Sequence, residues 1–90
     1  MFKTLLINQL NTNETGIKRK VFFLIGDMDD VQNRLLEVFN GKNSPFYGRV
    51  TFRYNGMSIV LKTEEIPEVI NKLVEMGIKV YSVYELYEPI

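Results

Sequence analysis

"PFYGRVTFRYNGMSIVLKT", residues 45–63, alternates aromatic, basic and apolar side chains around Asn55-Gly56. Asn-Gly is the strongest short hairpin signal, because a type I′ turn needs positive φ at both central positions. With Asn55 and Gly56 in those positions, Tyr54 faces Met57, Phe52 faces Ile59 and Val50 faces Leu61, all apolar. The opposite side then pairs Arg53 with Ser58, Thr51 with Val60 and Arg49 with Lys62. Turn chemistry and alternation agree on one register, so the stretch reads as a hairpin with one face in a core.

The flanking segments supply that core. "KVFFLIG" (20–26) is a short, solid apolar run, as expected of a central strand buried on both faces. "DMDDVQNRLLEVFNG" (27–41) switches to helical spacing, with Met28, Val31, Leu35, Val38 and Phe39 on one side. Asp27 suits the N-cap and Gly41 a left-handed stop. "TEEIPEVINKLVEMG" (63–77) is a second helix, capped by Thr63, with Pro67 in its first turn and Gly77 ending it. Its buried stripe is Ile66, Val69, Ile70, Leu73 and Val74. "IKVYSVYELY" (78–87) is the last strand.

The order is β-α-β-β-α-β. Right-handed crossovers place both helices on one face of a four-stranded antiparallel sheet. That is an α+β, ferredoxin-like two-layer sandwich over residues 20–90. Residues 1–19 stand apart as an N-terminal arm, in which "FKTLLI" reads as an extra strand and "NTNETG" (11–16) as a polar turn.

The 90 residues include neither cysteine nor histidine. This excludes a disulfide framework, a thiol nucleophile, the usual Cys/His zinc site and an imidazole base. Asp27, Asp29 and Asp30 sit at a helix start without calcium-loop spacing, so we expect no metal, no cofactor and no enzymatic activity. No apolar run is long enough to cross a membrane, and the expected location is the cytoplasm. A formal net charge of zero gives no global field to gather nucleic acid.

With helices on one side, the other sheet face stays open. It carries Arg49, Thr51, Arg53, Ser58, Val60 and Lys62 from the hairpin. The first strand adds Phe22 with Leu24 or Phe23 with Ile25, and the last adds Tyr81 with Val83 or Tyr84 with Leu86. Phe22, Leu24, Val60, Tyr81 and Val83 are the candidate interface. An apolar patch of that size is usually covered, by the N-terminal arm, a second copy or a partner protein. The leading expectation is therefore a regulatory or interaction module that self-associates through its sheet as a homodimer. A small-ligand sensor with Arg49, Arg53 and Lys62 at the subunit boundary is the alternative.

Two family resemblances bear on these expectations. "YGRVTF" (47–52) is similar to part of the RNP1 pattern of RNA-recognition motifs, and "VFFLIG" (21–26) to RNP2. However, "YGRVTF" lies on the second core strand rather than the third, and "MSIVLKT" offers no stacking aromatic, which disfavours RNA. From residue 20 onward, and most clearly in "LVEMGIKVYSVYELYEPI" (73–90), the chain resembles the C-terminal accessory domain of drug-exporter-type ABC transporter ATPase subunits. That resemblance implies the same fold and an accessory role beside an ATPase, although no nucleotide-binding motif precedes the domain. ACT-like amino-acid-sensing domains share the topology.

Overall fold

The structure is a computed structural model and describes residues 3–6 and 17–87. Its elements are β1 (Lys3–Leu6), β2 (Lys18–Ile25), α1 (Met28–Asn40), β3 (Val50–Arg53), β4 (Gly56–Lys62), α2 (Ile66–Glu75) and β5 (Val80–Tyr87), with a 3-10 turn at Thr63–Glu65. The strands form one antiparallel sheet in the order β1-β5-β2-β4-β3. Leaving β1 aside, this is the ferredoxin-like order, with both helices packed on one face. The N-terminal strand expected in "FKTLLI" is present as β1, which extends the sheet beyond β5. The polar turn expected at 11–16 lies outside the described residues.

The core follows from alternation on β2. Val21, Phe23 and Ile25 point toward the helices, and Met57, Ile59 and Leu61 of β4 join them. Met28, Leu35 and Phe39 of α1 and Ile66, Val69 and Leu73 of α2 close the layer. Val74 departs from the expected stripe and is exposed. One residue past Leu73, it is rotated about 100° around the helix, away from the sheet. Gly77 ends α2 as expected, with φ +72. Ile78 N–H reaches the Leu73 carbonyl and Gly77 N–H that of Val74, a Schellman arrangement.

The hairpin differs from the expected register by two residues. Arg53 pairs with Gly56, Phe52 with Met57, Thr51 with Ser58 and Val50 with Ile59. Tyr54 and Asn55 therefore make the turn, and neither Asn55 nor Gly56 takes positive φ. A Cβ on Gly56 would overlap the Phe23 carbonyl oxygen on β2. Glycine is needed there for close strand approach rather than for a left-handed turn. Tyr54, expected in the core, is 89% exposed at the tip. A shift of two preserves the faces, which is why Val50 and Phe52 still pack against the core.

Three helix ends also differ. Asp27 occupies the N-cap position of α1 with φ 54, but its side chain makes no capping hydrogen bond. It pairs with Lys79 instead, at 3.3 Å. Gly41 stops α1 in an extended conformation (φ −71, ψ 155) rather than a left-handed one. Thr63 begins the 3-10 turn instead of capping α2, and its hydroxyl oxygen accepts from Arg19 Nε at 2.9 Å.

Candidate functional site: the outer sheet face and the helix-side groove

Register settles which apolar residues face away from the helices. Phe22, Leu24 and Lys20 leave β2 on the outer side, Ser58, Val60 and Lys62 leave β4, and Ser82, Tyr84 and Leu86 leave β5. Val83, expected on this face, is opposite Phe23 and packs on the core. The pairing shifts between Leu24 and Ile25, where Ser82 and then Val80 are the partners. Tyr81 is left over as a bulge, and its ring lies over Gly26 at the sheet's end. It is exposed, but it does not belong to the central patch.

The patch is less open than the sequence suggests. Phe22 is 5% exposed and Ser58 only 1%. Phe22 lies across Gly56 and its ring centroid is 5.3 Å from that of Tyr84. Leu24, Val60, Tyr84 and Leu86 are half-buried around it. The exposed large apolar residues among those described, such as Leu36, Tyr47 and Val74, lie elsewhere. The Ser58 hydroxyl has no hydrogen-bond partner among the described residues.

Charge, not apolar area, distinguishes this face. Lys18 is directly opposite Lys62 on its outer side, Lys20 lies one pair further along and Arg53 stands at the far end. Like charges in direct cross-strand register are destabilising. No described carboxylate points outward. Glu85 is on the inner face, 3.5 Å from Arg19, and the other described acids lie on the helices and their adjoining turns. Although the chain has zero net charge, its described residues are polarised, basic on the outer sheet face and acidic around the helices.

The three cations expected to share a ligand do not converge. Arg53 closes the hairpin tip and Lys62 ends β4, six residues away along an extended strand, on the order of 20 Å. Arg49 is fully engaged. Its guanidinium donates to the Pro45 carbonyl at 2.8 Å and the Val60 carbonyl at 3.2 Å, and pairs with Glu65 at 3.3 Å. It also stacks over the Phe46 ring, 5.1 Å from the centroid. Arg49 is a clamp between the loop before β3 and the turn before α2.

Burial pushes the Glu65 carboxyl up, but the Lys62 backbone N–H, the Arg49 hydrogen bond and the charges of Arg49 and Lys62 outweigh it. The group is left below its ordinary value of 4.5. A depressed folded pKa adds stability above the unfolded value, which is lost as pH falls through the lower one. Glu65→Gln is therefore expected to lower the urea midpoint at pH 7, with the gap to the parent protein closing below pH 4.5. An equal gap at pH 7 and pH 3 would show that the clamp is not ionic.

The clamp backs a groove that sequence reasoning missed. Val38, Phe39, Pro45, Phe46, Glu68 and Lys72 line a hollow of about 260 Å³ between α1, the following loop and α2. The hollow depends on loop 41–46 folding back onto α1, a contact that no local pattern announces. Ser44 is its only sequence-level hint, as a hydroxyl just after a helix.

No family model matches the chain, and comparisons with curated proteins and with solved structures likewise find no match.

Proposed function

We propose that the protein is a non-enzymatic interaction module that docks an acidic polypeptide on the outer face of its sheet. The carrying observation is the one-sided charge: Lys18, Lys62 and Arg53 point outward and are exposed, with no described carboxylate among them. An acidic partner would relieve the Lys18–Lys62 repulsion while its apolar groups meet Leu24, Val60, Tyr84 and Leu86. The absence of cysteine and histidine supports a binding role over a catalytic one. An accessory domain beside a transporter ATPase is one setting such a module would suit.

A polypeptide fits this face better than a single-stranded nucleic acid. Base stacking needs an exposed ring, whereas Phe22 is buried and tilted against Tyr84. On β4 the corresponding outer positions hold Ser58 and Val60. Sheet-to-sheet self-association is the second reading, favoured by the half-buried apolar residues and opposed by the basic rim. It would strengthen with salt, whereas docking of an acidic partner would weaken.

The double reversal Lys18→Glu/Lys62→Glu tests the reading. Binding of a fluorescent peptide of alternating Glu and Leu should fall about tenfold or more at low salt, with steered association slowed. Unchanged binding by the reversed variant, or tighter binding of single-stranded RNA than of the peptide, would overturn it. Sedimentation in low and high salt separates self-association from both.

A further inference from the structure

We propose that the groove between α1, loop 41–46 and α2 binds a small zwitterion carrying an apolar group, of the chemical kind of a hydrophobic α-amino acid. The inference is independent of docking on the sheet, since the groove lies on the helix side.

The floor is apolar and held in place. Phe39 and Phe46 are almost fully buried, their ring centroids 6.1 Å apart, and Val38 and Pro45 extend the surface. The loop is fastened at several points. Ser44 Oγ donates to the Phe39 carbonyl at 2.8 Å and accepts from Phe46 N–H at 3.1 Å. Ser44 N–H reaches the Gly41 carbonyl at 2.9 Å, and Gly48 N–H reaches Asn40 Oδ1 at 3.0 Å. Arg49 holds Phe46 from behind and ties the loop to Glu65 just before α2. Both walls are therefore pre-positioned, so little ordering is needed when a ligand enters.

The rim carries both signs of charge, unpaired. Glu68 and Lys72 stand four residues apart on α2 with the acid N-terminal, the spacing and direction that ordinarily give a helix ion pair. They make none, and among the described residues no hydrogen bond or ion pair engages either side chain. Glu37 and Lys42 line the adjoining hollow, which shares Val38, Pro45 and Lys72, and their side chains too are unpaired among the described residues. A simple anion would meet two carboxylates here, and a simple cation two ammonium groups. A ligand bearing one charge of each sign answers both, with Glu68 receiving the ammonium and Lys72 the carboxylate. Its apolar group then rests on Phe39, Phe46, Val38 and Pro45. The volume falls just under the range typical of drug-sized ligands, which suits one side chain and one head group.

The test uses the full chain and amide chemical-shift mapping with L-leucine and L-phenylalanine as probes. The controls are isovalerate, isoamylamine and glycine, which lack in turn the ammonium, the carboxylate and the apolar group. Saturable shifts centred on Val38, Phe46 and Lys72 are expected with the two amino acids, at least tenfold tighter than with any control. Glu68→Gln and Lys72→Gln, both at exposed positions, should each weaken that binding about tenfold or more while leaving the rest of the spectrum unchanged. No saturable shift at 10 mM, equal binding of a control, shifts centred elsewhere, or undiminished binding by both variants would each overturn the proposal.

Discussion

Gly56→Ala is expected to destabilise the fold by at least about 3 kcal/mol, the upper end for forcing atoms into a packed interior. The added methyl would overlap the Phe23 carbonyl oxygen and come within 2.8 Å of the Phe22 ring. A ring can turn aside, but a carbonyl in the middle of a sheet cannot. β4 and β2 would have to separate where Gly56 pairs with Leu24, next to the bond from Ile25 N–H to the Asn55 carbonyl. A domain of this size has roughly 5–13 kcal/mol of stability in total. The melting temperature should fall by about 12 °C or more, read by circular dichroism. A drop of only a few degrees would mean that the strands do not approach as closely as described.

Phe23→Ala carries the second large effect. Phe23 is 0% exposed at the centre of β2, between Met57 on β4 and Val83 on β5 and beneath the helices. Truncating such a ring removes its burial and leaves a cavity, typically costing about 3–5 kcal/mol. The urea midpoint should shift accordingly with an unchanged slope, since the surface exposed on unfolding is nearly the same. A loss below about 1 kcal/mol would place Phe23 outside the core, and with it the division of β2 into inner and outer faces.

That division was not legible in the sequence. "VFFLI" is apolar at every position, so alternation cannot say whether Phe22 or Phe23 faces the helices. The partner strand decides it, because Met57 and Ile59 fix the inner side of β4 and pair with Phe23 and Val21. On β5 the bulge at Tyr81 separates Val80 from the alternation of Ser82, Tyr84 and Leu86, and Val83 falls inward. The element order and helix stripes were readable because each rests on local periodicity. The Asn-Gly pair marked a hairpin correctly and its tip wrongly, since one glycine can satisfy a turn or a close approach. Arg49 looked free because Glu65 is sixteen residues away in sequence and on a different element. The basic face was within reach of sequence reading. Lys18 and Lys20 on β2, Lys62 on β4 and Arg53 on β3 all fall on the outer side by simple alternation, but a net charge of zero conceals them.

The placement of β2 between β4 and β5 also shapes how the chain can assemble. The greasiest segment precedes both of its hydrogen-bonded neighbours, which come from residues 56–62 and 80–87. On a ribosome, residues 18–25 emerge long before anything can zip against them. The hairpin of β3 and β4 has only nearby pairings to make and is free to form first, as a template. Pairing on the other side of β2 then waits for residues 80–87. Until that moment, nascent chains carry an uncovered hydrophobic strand, the kind of segment that chaperones recognise and that crowded neighbours stick to.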